Sequence, residues 1–172
     1  MVMRKRQSGF TLIELMIVVS IAGVITAFAM PYMKDTIRNQ RVRAAVSEAH
    51  LSLLFARSEA IKRNANIVVA KTGATWDLGW QVKVQSDGTV LRTSDALKAV
   101  AVDCNTDGDT SAETCPTSVT FTRTGRPASI LEYRFYIADN INITMRCVSI
   151  SLSGQPHVSI DTDGDPVNGC TE

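Results

Sequence analysis

The sequence predicts an α+β protein in which one long N-terminal helix, apolar in its first half and amphipathic in its second, packs against an antiparallel β-rich head. Three observations in its 172 residues carry that reading. Residues 15–33 form a run of 19 without a charge. Beyond that run, Val42, Val46, Ala49, Leu53, Ala56 and Ala60 recur at steps of four and three, which places them in one stripe along a helix. From Ile67 onward, short β-branched or alternating segments are separated by Gly, Asn, Asp and Ser, the pattern of strands and turns.

The apolar run is long enough to span a membrane, since about 20 residues at a rise of about 1.5 Å each cross a hydrocarbon core of roughly 30 Å. A secretory signal has a shorter apolar core of about 7–15 residues, closed by a small-x-small cleavage site. This run is longer, has no such site on its C-terminal side and passes directly into a polar helix. Arg4, Lys5 and Arg6 precede it with no acid among them, so the positive-inside rule keeps residues 1–9 cytoplasmic and sends the rest of the chain across.

Glu14 interrupts the apolar character near the start of the segment. A carboxylate within a membrane costs on the order of a few kcal/mol and is expected to find a cation, unless it lies near enough to the interface to stay hydrated. Pro31 lies near the end of the run; inside a helix it removes a hydrogen bond and costs about 3 kcal/mol unless a kink absorbs it. The stripe beyond Pro31 argues that the helix continues. One helix is therefore expected from about Phe10 to Arg63, roughly 80 Å long, with residues 10–33 in the membrane and 34–63 as the spine of the head. The small residues of the stripe let a sheet approach closely. Coiled-coil pairing is the competing use of the stripe, and it would leave the remaining chain nothing to pack on. Asn64 suits a C-terminal cap, Lys62 and Arg63 suit the negative end of the helix dipole, and Glu59 lies one turn from both.

Residues 64–172 are expected to form the head. Segment 67–69 is β-branched, and 80–84 alternates apolar with polar as a half-buried strand does. After the turn Ser86-Asp87-Gly88-Thr89 the chain returns at 90–92. Segments 100–102, 119–122, 135–137 and 141–144 are further strand candidates, with Asp139-Asn140 as the turn between the last two. Segment 147–152 alternates, turns at Ser153-Gly154 and is followed by 157–160. One or two sheets packed on the helix would enclose a single core, for which about 140 residues outside the membrane suffice.

The formal net charge of +1 is unevenly placed: residues 1–63 hold 10 Lys and Arg against 4 acids, and residues 64–172 hold 8 against 13. An acidic head argues against a basic coat for nucleic acid. The four cysteines, Cys104, Cys115, Cys147 and Cys170, all lie in the head. An even number in an exported domain reads as disulfides. Three connectivities are open; Cys104–Cys115, closing a short polar loop, and Cys147–Cys170, pinning the C-terminal tail to a strand, are the favoured pairs. Zinc is disfavoured because no Cys-x-x-Cys pair occurs and both histidines are isolated, His50 expected on the helix surface and His157 on a strand near a turn.

Two acidic loops are candidate calcium sites. Asp103, Asn105, Asp107 and Asp109 alternate before Glu113, and Asp161, Asp163 and Asp165 repeat the Thr-Asp-Gly-Asp core. Calcium takes about six to eight oxygen ligands, which alternating Asp and Asn around a glycine can supply. Against it, Glu113 stands one residue early for an EF-hand, no flanking helix pair is present, and Asp-Gly turns are common without metal. No other cofactor is indicated. There is no Gly-rich phosphate loop and no credible Ser-His-Asp set, and Gly125-Arg126-Pro127 reads as a turn, so no enzyme is expected.

The order Gly9-Phe10-Thr11-Leu12-Ile13-Glu14, behind a basic leader and ahead of a long apolar run, resembles the N-terminus of type IV prepilins. The resemblance implies that a prepilin peptidase cuts after Gly9, that Phe10 becomes the N-methylated first residue, and that Glu14 meets the N-terminal amine of a neighbouring subunit during assembly. Pro31 stands where many pilins carry a proline and bend. Segments 56–64 and 76–84, the latter with Gly79-Trp80, are similar to the GspH/FimT group of minor pilins and of minor pseudopilins of type II secretion. With the leader and the C-terminal strands, the likeness spans most of the chain.

It implies a pilin-like fold and a single-pass protein of the bacterial inner membrane with its head in the periplasm, later incorporated into a pilus or pseudopilus. Its implied partners are other pilin or pseudopilin subunits and the inner-membrane assembly platform. Three functions follow: a minor type IV pilin that helps prime or cap a pilus, a minor pseudopilin near the tip of a type II secretion pseudopilus, and a DNA-binding minor pilin of natural transformation. The basic helix end and a disulfide-bonded tail favour the first. Members that bind DNA resemble one another in a Gly-Arg-x-Arg motif at the C-terminal hairpin. Here the turn reads Gly154-Gln155-Pro156-His157, and no Lys or Arg follows Arg146. Phosphate contacts need cations, which leaves Arg123, Arg126 and Arg134 as the alternative patch.

Overall fold

The structure, a computed structural model, describes residues 10–105, 115–129, 131–140, 142–162 and 170; the side chains at 28–32 and at 105 lie outside the described set. It falls into two units, one ending at Ile37 and the other beginning at Arg38. A helix, α1 (Leu12–Arg63), contributes to both.

In the first unit, Thr11 stands just ahead of α1, and its Oγ1 accepts a hydrogen bond of 3.3 Å from the Glu14 backbone N–H. This satisfies one of the donors that a helix start leaves unpaired. Every large apolar side chain from Leu12 to Ile25 is exposed. A helix apolar on all sides requires lipid or other protein around it. The hydroxyls of Ser20 and Thr26 donate to the carbonyls of Met16 and Ala22 at 2.8 and 2.7 Å, which satisfies them within the helix. Among the described residues no helix is long and apolar enough to cross a membrane. The unbroken stretch of described side chains ends at Ala27, 16 residues into α1, and resumes at Met33, so it is short of the roughly 20 that a bilayer requires. The side chains at 28–32, that of Pro31 where a bend is expected among them, lie outside the described set.

In the second unit the whole apolar stripe, Val42, Val46, Ala49, Leu53, Ala56 and Ala60, is buried, joined by Ala45. The helix stops where Asn64 takes a left-handed φ of 49°. The Ala65 N–H then reaches the Ala60 carbonyl at 3.2 Å, closing the last turn.

Among the described residues eight strands follow: β1 (Ile67–Lys71), β2 (Trp80–Val84), β3 (Val90–Ser94), β4 (Ala101–Asn105), β5 (Ser118–Phe121), β6 (Leu131–Tyr136), β7 (Arg146–Ile150) and β8 (Pro156–Ile160). They form two four-stranded sheets, ordered β3-β2-β1-β5 and β4-β6-β7-β8. Every pairing is antiparallel, with Ile67 opposite both Val84 and Phe121, and Val148 opposite both Tyr133 and Val158. Strand β1 sits inside its sheet, and Ile67, Val68 and Val69 are all buried, as a continuous β-branched run requires. Strand β2 alternates buried and half-buried residues. The stripe of α1 and the inner residues of both sheets join in one core.

Three segments differ from expectation. Residues 142–145 form no strand. The Asn140 side-chain oxygen accepts the Asn142 N–H at 3.0 Å, and the Asn140 carbonyl accepts the Ile143 N–H at 3.3 Å, so the turn captures donors a strand would need. Strand β6 begins at Leu131 because Leu131, Tyr133 and Phe135 alternate onto the core. Residues Trp76–Leu78 form a short 3₁₀ helix.

Cys104 is bonded to Cys115, and Cys147 to Cys170. Cys147 and Cys170 pack with Met145 and Tyr136 in a small cluster separate from the main core. At the end of α1, the Arg57 guanidinium donates to the Ser153 carbonyl at 3.1 Å in the β7–β8 turn. Gly154 in that turn has φ 79° and lies against Gly125 in the turn after β5.

A cavity of about 20 Å³ remains between helix and sheets, lined by Leu53, Trp76, Trp80 and Tyr133 among others. The Trp76 indole donates to the Pro116 carbonyl at 2.9 Å, and its ring meets the Tyr133 ring edge-on with centroids 4.9 Å apart. The Tyr133 hydroxyl is buried with no hydrogen-bond partner among the described residues, and burial pushes its pKa well above the ordinary tyrosine value. An unpaired buried hydroxyl costs about 1–3 kcal/mol. Tyr133→Phe is therefore expected to leave the melting temperature unchanged or to raise it by a few degrees. A clear fall in thermal denaturation would show that the hydroxyl is bonded.

Candidate assembly site

The residues on which the expected processing and assembly depend lie at the start of the chain. Gly9 lies outside the described residues. Phe10 is 80% exposed, and Glu14 is exposed on the first turn of α1. No cation meets the Glu14 carboxylate among the described residues. A charge on an otherwise apolar, unpacked helix surface offers a directional contact to another molecule and no chemistry of its own. Thr11, which the sequence presents as part of the motif, also caps the helix. Its spacing to Glu14 is the Thr-x-x-Glu pattern of a capping box, which was available as a signal.

In the head, the charged residues of α1 act as fasteners. Glu48 accepts from the Arg92 guanidinium at 2.9 Å and from the Ser94 hydroxyl at 2.6 Å, which ties the helix to β3. Glu59 pairs with both Arg63 and Lys62. The hydrogen bond from Arg63, aided by Lys62, outweighs desolvation and lowers its pKa.

The acidic residues are dispersed where they are described. Asp103 lies on β4, and its carboxylate accepts the Cys104 N–H at 2.8 Å. Asn105 ends β4. Asp161 is buried just after β8. Asp107, Asp109, Glu113, Asp163 and Asp165 lie outside the described residues. Among the described residues no group of three or more His, Cys, Asp or Glu is placed to hold a metal.

The alternative basic patch is not assembled as expected. Arg134 is 5% exposed on β6 and lies 3.7 Å from the Glu132 carboxylate, so it offers little to a phosphate backbone. Arg123 and Arg126 remain exposed near the turn after β5. His157 is exposed on β8, whereas His50 is half-buried on α1.

A long helix whose C-terminal part packs on antiparallel sheets, with an exposed apolar N-terminal part bearing one carboxylate, defines a pilin-like structural subunit. Residues 45–154 match the family model described as type II transport protein GspH, and residues 4–30 match the prokaryotic N-terminal methylation motif. The chain belongs to the GspH family, whose members are structural pilin and pseudopilin subunits of type IV pili or type II secretion and not enzymes.

Among curated proteins, it is 40% identical over 87 residues to a fimbrial protein of Pseudomonas aeruginosa, covering 49% of this chain and 56% of that one. It is 53% identical over 47 residues to the type IV major fimbrial protein FimA of Dichelobacter nodosus, covering 27% and 29%. The chain spans about half the length, or less, of the curated relatives it matches. Among solved structures, the fold is similar to the minor pilin FimU of Pseudomonas aeruginosa, with a TM-score of 0.59 and 20% identity over 79% of this chain and 98% of that one. It is also similar to the minor pseudopilin EpsH of Vibrio cholerae, with a TM-score of 0.52 and 12% identity over 70% and 97%. The methylation motif implies anchoring in the inner membrane before incorporation into a filament.

Proposed function

We propose that this chain is a minor type IV pilin that helps prime or cap assembly of a pilus. The observation that carries the reading is the 40% identity to a fimbrial protein over 87 residues, together with the N-terminal methylation motif. In this reading the leader stays cytoplasmic, prepilin peptidase cuts after Gly9, and Phe10 is methylated. Residues 10–33 hold the single-pass chain in the membrane with its head in the periplasm, and the helix bends at Pro31. The assembly platform and other pilin subunits are its partners. The new amine of Phe10 is the type of cation that the Glu14 carboxylate of an adjoining subunit would meet. A charge pair formed in a low dielectric is strong and directional, which suits it to setting register.

A second reading, minor pseudopilin of a type II secretion system, is favoured by the description of the family model itself. The experiment is a clean deletion, scored both for surface pili by electron microscopy and for secreted enzymes, with the gene restored as control. Loss of pili alone supports the pilus, and loss of secretion alone transfers the protein to the secretion system. Within either filament, Glu14→Ala is expected to leave the protein in the membrane fraction but reduce its presence in sheared filaments at least about tenfold, since a desolvated charge pair is worth a few kcal/mol. Normal incorporation would refute the registry role.

A further inference from the structure

The same half of α1 that packs on the sheets carries a second charged feature that serves no fastening role. Arg43 and His50 on the helix and Arg146 at the start of β7 line one groove of about 430 Å³, with Val46, Leu51 and Val158 as its apolar part. Strand alternation explains the placement. Arg146 shares the helix-facing side of β7 with the buried Val148 and Ile150, but it sits at the strand end, where the core gives way to solvent. The Nε of Arg146 and the Nδ1 of His50 are buried atoms with no hydrogen-bond partner, and no acid pairs with Arg43 or Arg146 among the described residues. Partial burial and, secondarily, the guanidinium of Arg43 lower the Arg146 pKa. Two like charges thus line one groove, Arg146 partly desolvated and Arg43 exposed, an arrangement that an anion would stabilise.

Beyond Thr162, the one described residue of the C-terminal tail lies on the other side of β7. Cys170 is bonded to Cys147, whose side chain points to the opposite face of β7 from Arg146. The apolar wall narrows the choice of anion. In an Asp or Glu side chain the charge follows directly on methylene groups that can lie against Val46, Leu51 and Val158, whereas in a nucleic acid the phosphate stands apart from the apolar parts of sugar and base. Acidic heads of this kind, with 13 acids against 8 basic residues in 64–172, also present the complementary charge.

We propose that the Arg43–His50–Arg146 groove is a docking site for a carboxylate-bearing loop of a neighbouring subunit. Its place between subunits rests on the filament reading above; its preference for carboxylates does not. The test uses the purified full chain in detergent micelles and a fluorescein-labelled hexaglutamate peptide, read by fluorescence anisotropy. A single-stranded oligonucleotide of matched length is run beside it.

The peptide is expected to bind at low salt and to weaken as salt rises. Arg43→Glu and Arg146→Gln are each expected to weaken it roughly five- to tenfold or more, as loss of one charge-assisted contact does. Arg123→Glu, which removes an equal charge elsewhere on the surface, should leave it unchanged. If Arg146→Gln fails to fold, Arg43→Glu still decides, because Arg43 is exposed on the helix. Equal binding by all variants, or no binding, overturns the site. Tighter binding of the oligonucleotide overturns the carboxylate assignment. Peptide binding together with an unaltered pilus count in the deletion strain would retire the priming role and leave the site standing.

Discussion

Replacing Cys147 with serine is expected to lower the melting temperature of the oxidised protein by roughly 10 °C. The bond to Cys170 joins residues separated by 23 positions. Loop-closure entropy makes such a bridge worth about 3 kcal/mol, and in a domain of this size each kcal/mol moves the transition by a few degrees. Cys147 is also fully buried, so serine adds a desolvated hydroxyl to the loss of the bond. Cys170→Ser breaks the same bridge from its other end and should produce a similar shift, slightly smaller if the hydroxyl matters. Circular dichroism melts with and without reductant check both. Coincident melts of wild type and the two variants under oxidising conditions would show that the bridge does not stabilise the head.

Gly154→Ala is expected to cost about 2–4 kcal/mol, or to prevent folding. Gly154 has φ 79°, and a Cβ there would stand 1.9 Å from the Gly125 carbonyl oxygen. Both backbone strain and collision therefore apply. The collision matters because it falls between two turns, one after β5 in the first sheet and one between β7 and β8 in the second. Forcing them apart would also strain the hydrogen bond from Arg57 to Ser153. Gly88→Ala separates the two causes, since Gly88 has a similar φ of 72° with nothing within reach of a Cβ. It should cost only about 1 kcal/mol. Denaturant titration of the two variants gives the comparison, and equal costs would mean that the approach of the two turns contributes nothing.

Periodicity and turn chemistry made much of this fold legible. The stripe from Val42 to Ala60 announced its buried face because a helix places steps of three and four on one side. The alternation in β2, the β-branched run of β1 and the cap at Asn64 are equally local signals. Where the reading failed, nonlocal effects or an overlooked local one decided. The alternation at 141–144 suggests a strand, but the hydrogen bonds that Asn140 accepts from Asn142 and Ile143 hold the described part, 142–144, in a turn. Arg134 looked like a surface cation, but the pairing of β6 between β4 and β7 left it nearly buried. In the candidate assembly site, Phe10 and Glu14 were legible as a motif. The capping role of Thr11 was equally local in its spacing to Glu14 but is first seen in the structure.

The order of residues by itself determined the α+β class, the single carboxylate in an apolar helix, the processing motif and the acidic balance of the head. Each of these depends only on residue type and spacing, which local physics reads directly. Among the described residues, tertiary structure alone decided that eight strands divide into two sheets sharing one helix. It also decided that Gly154 touches Gly125 and that Arg43 and His50 come to face Arg146 across about 100 positions of sequence. Such contacts join segments with no common period. They are settled by which faces can be buried together, and no window along the chain contains that information.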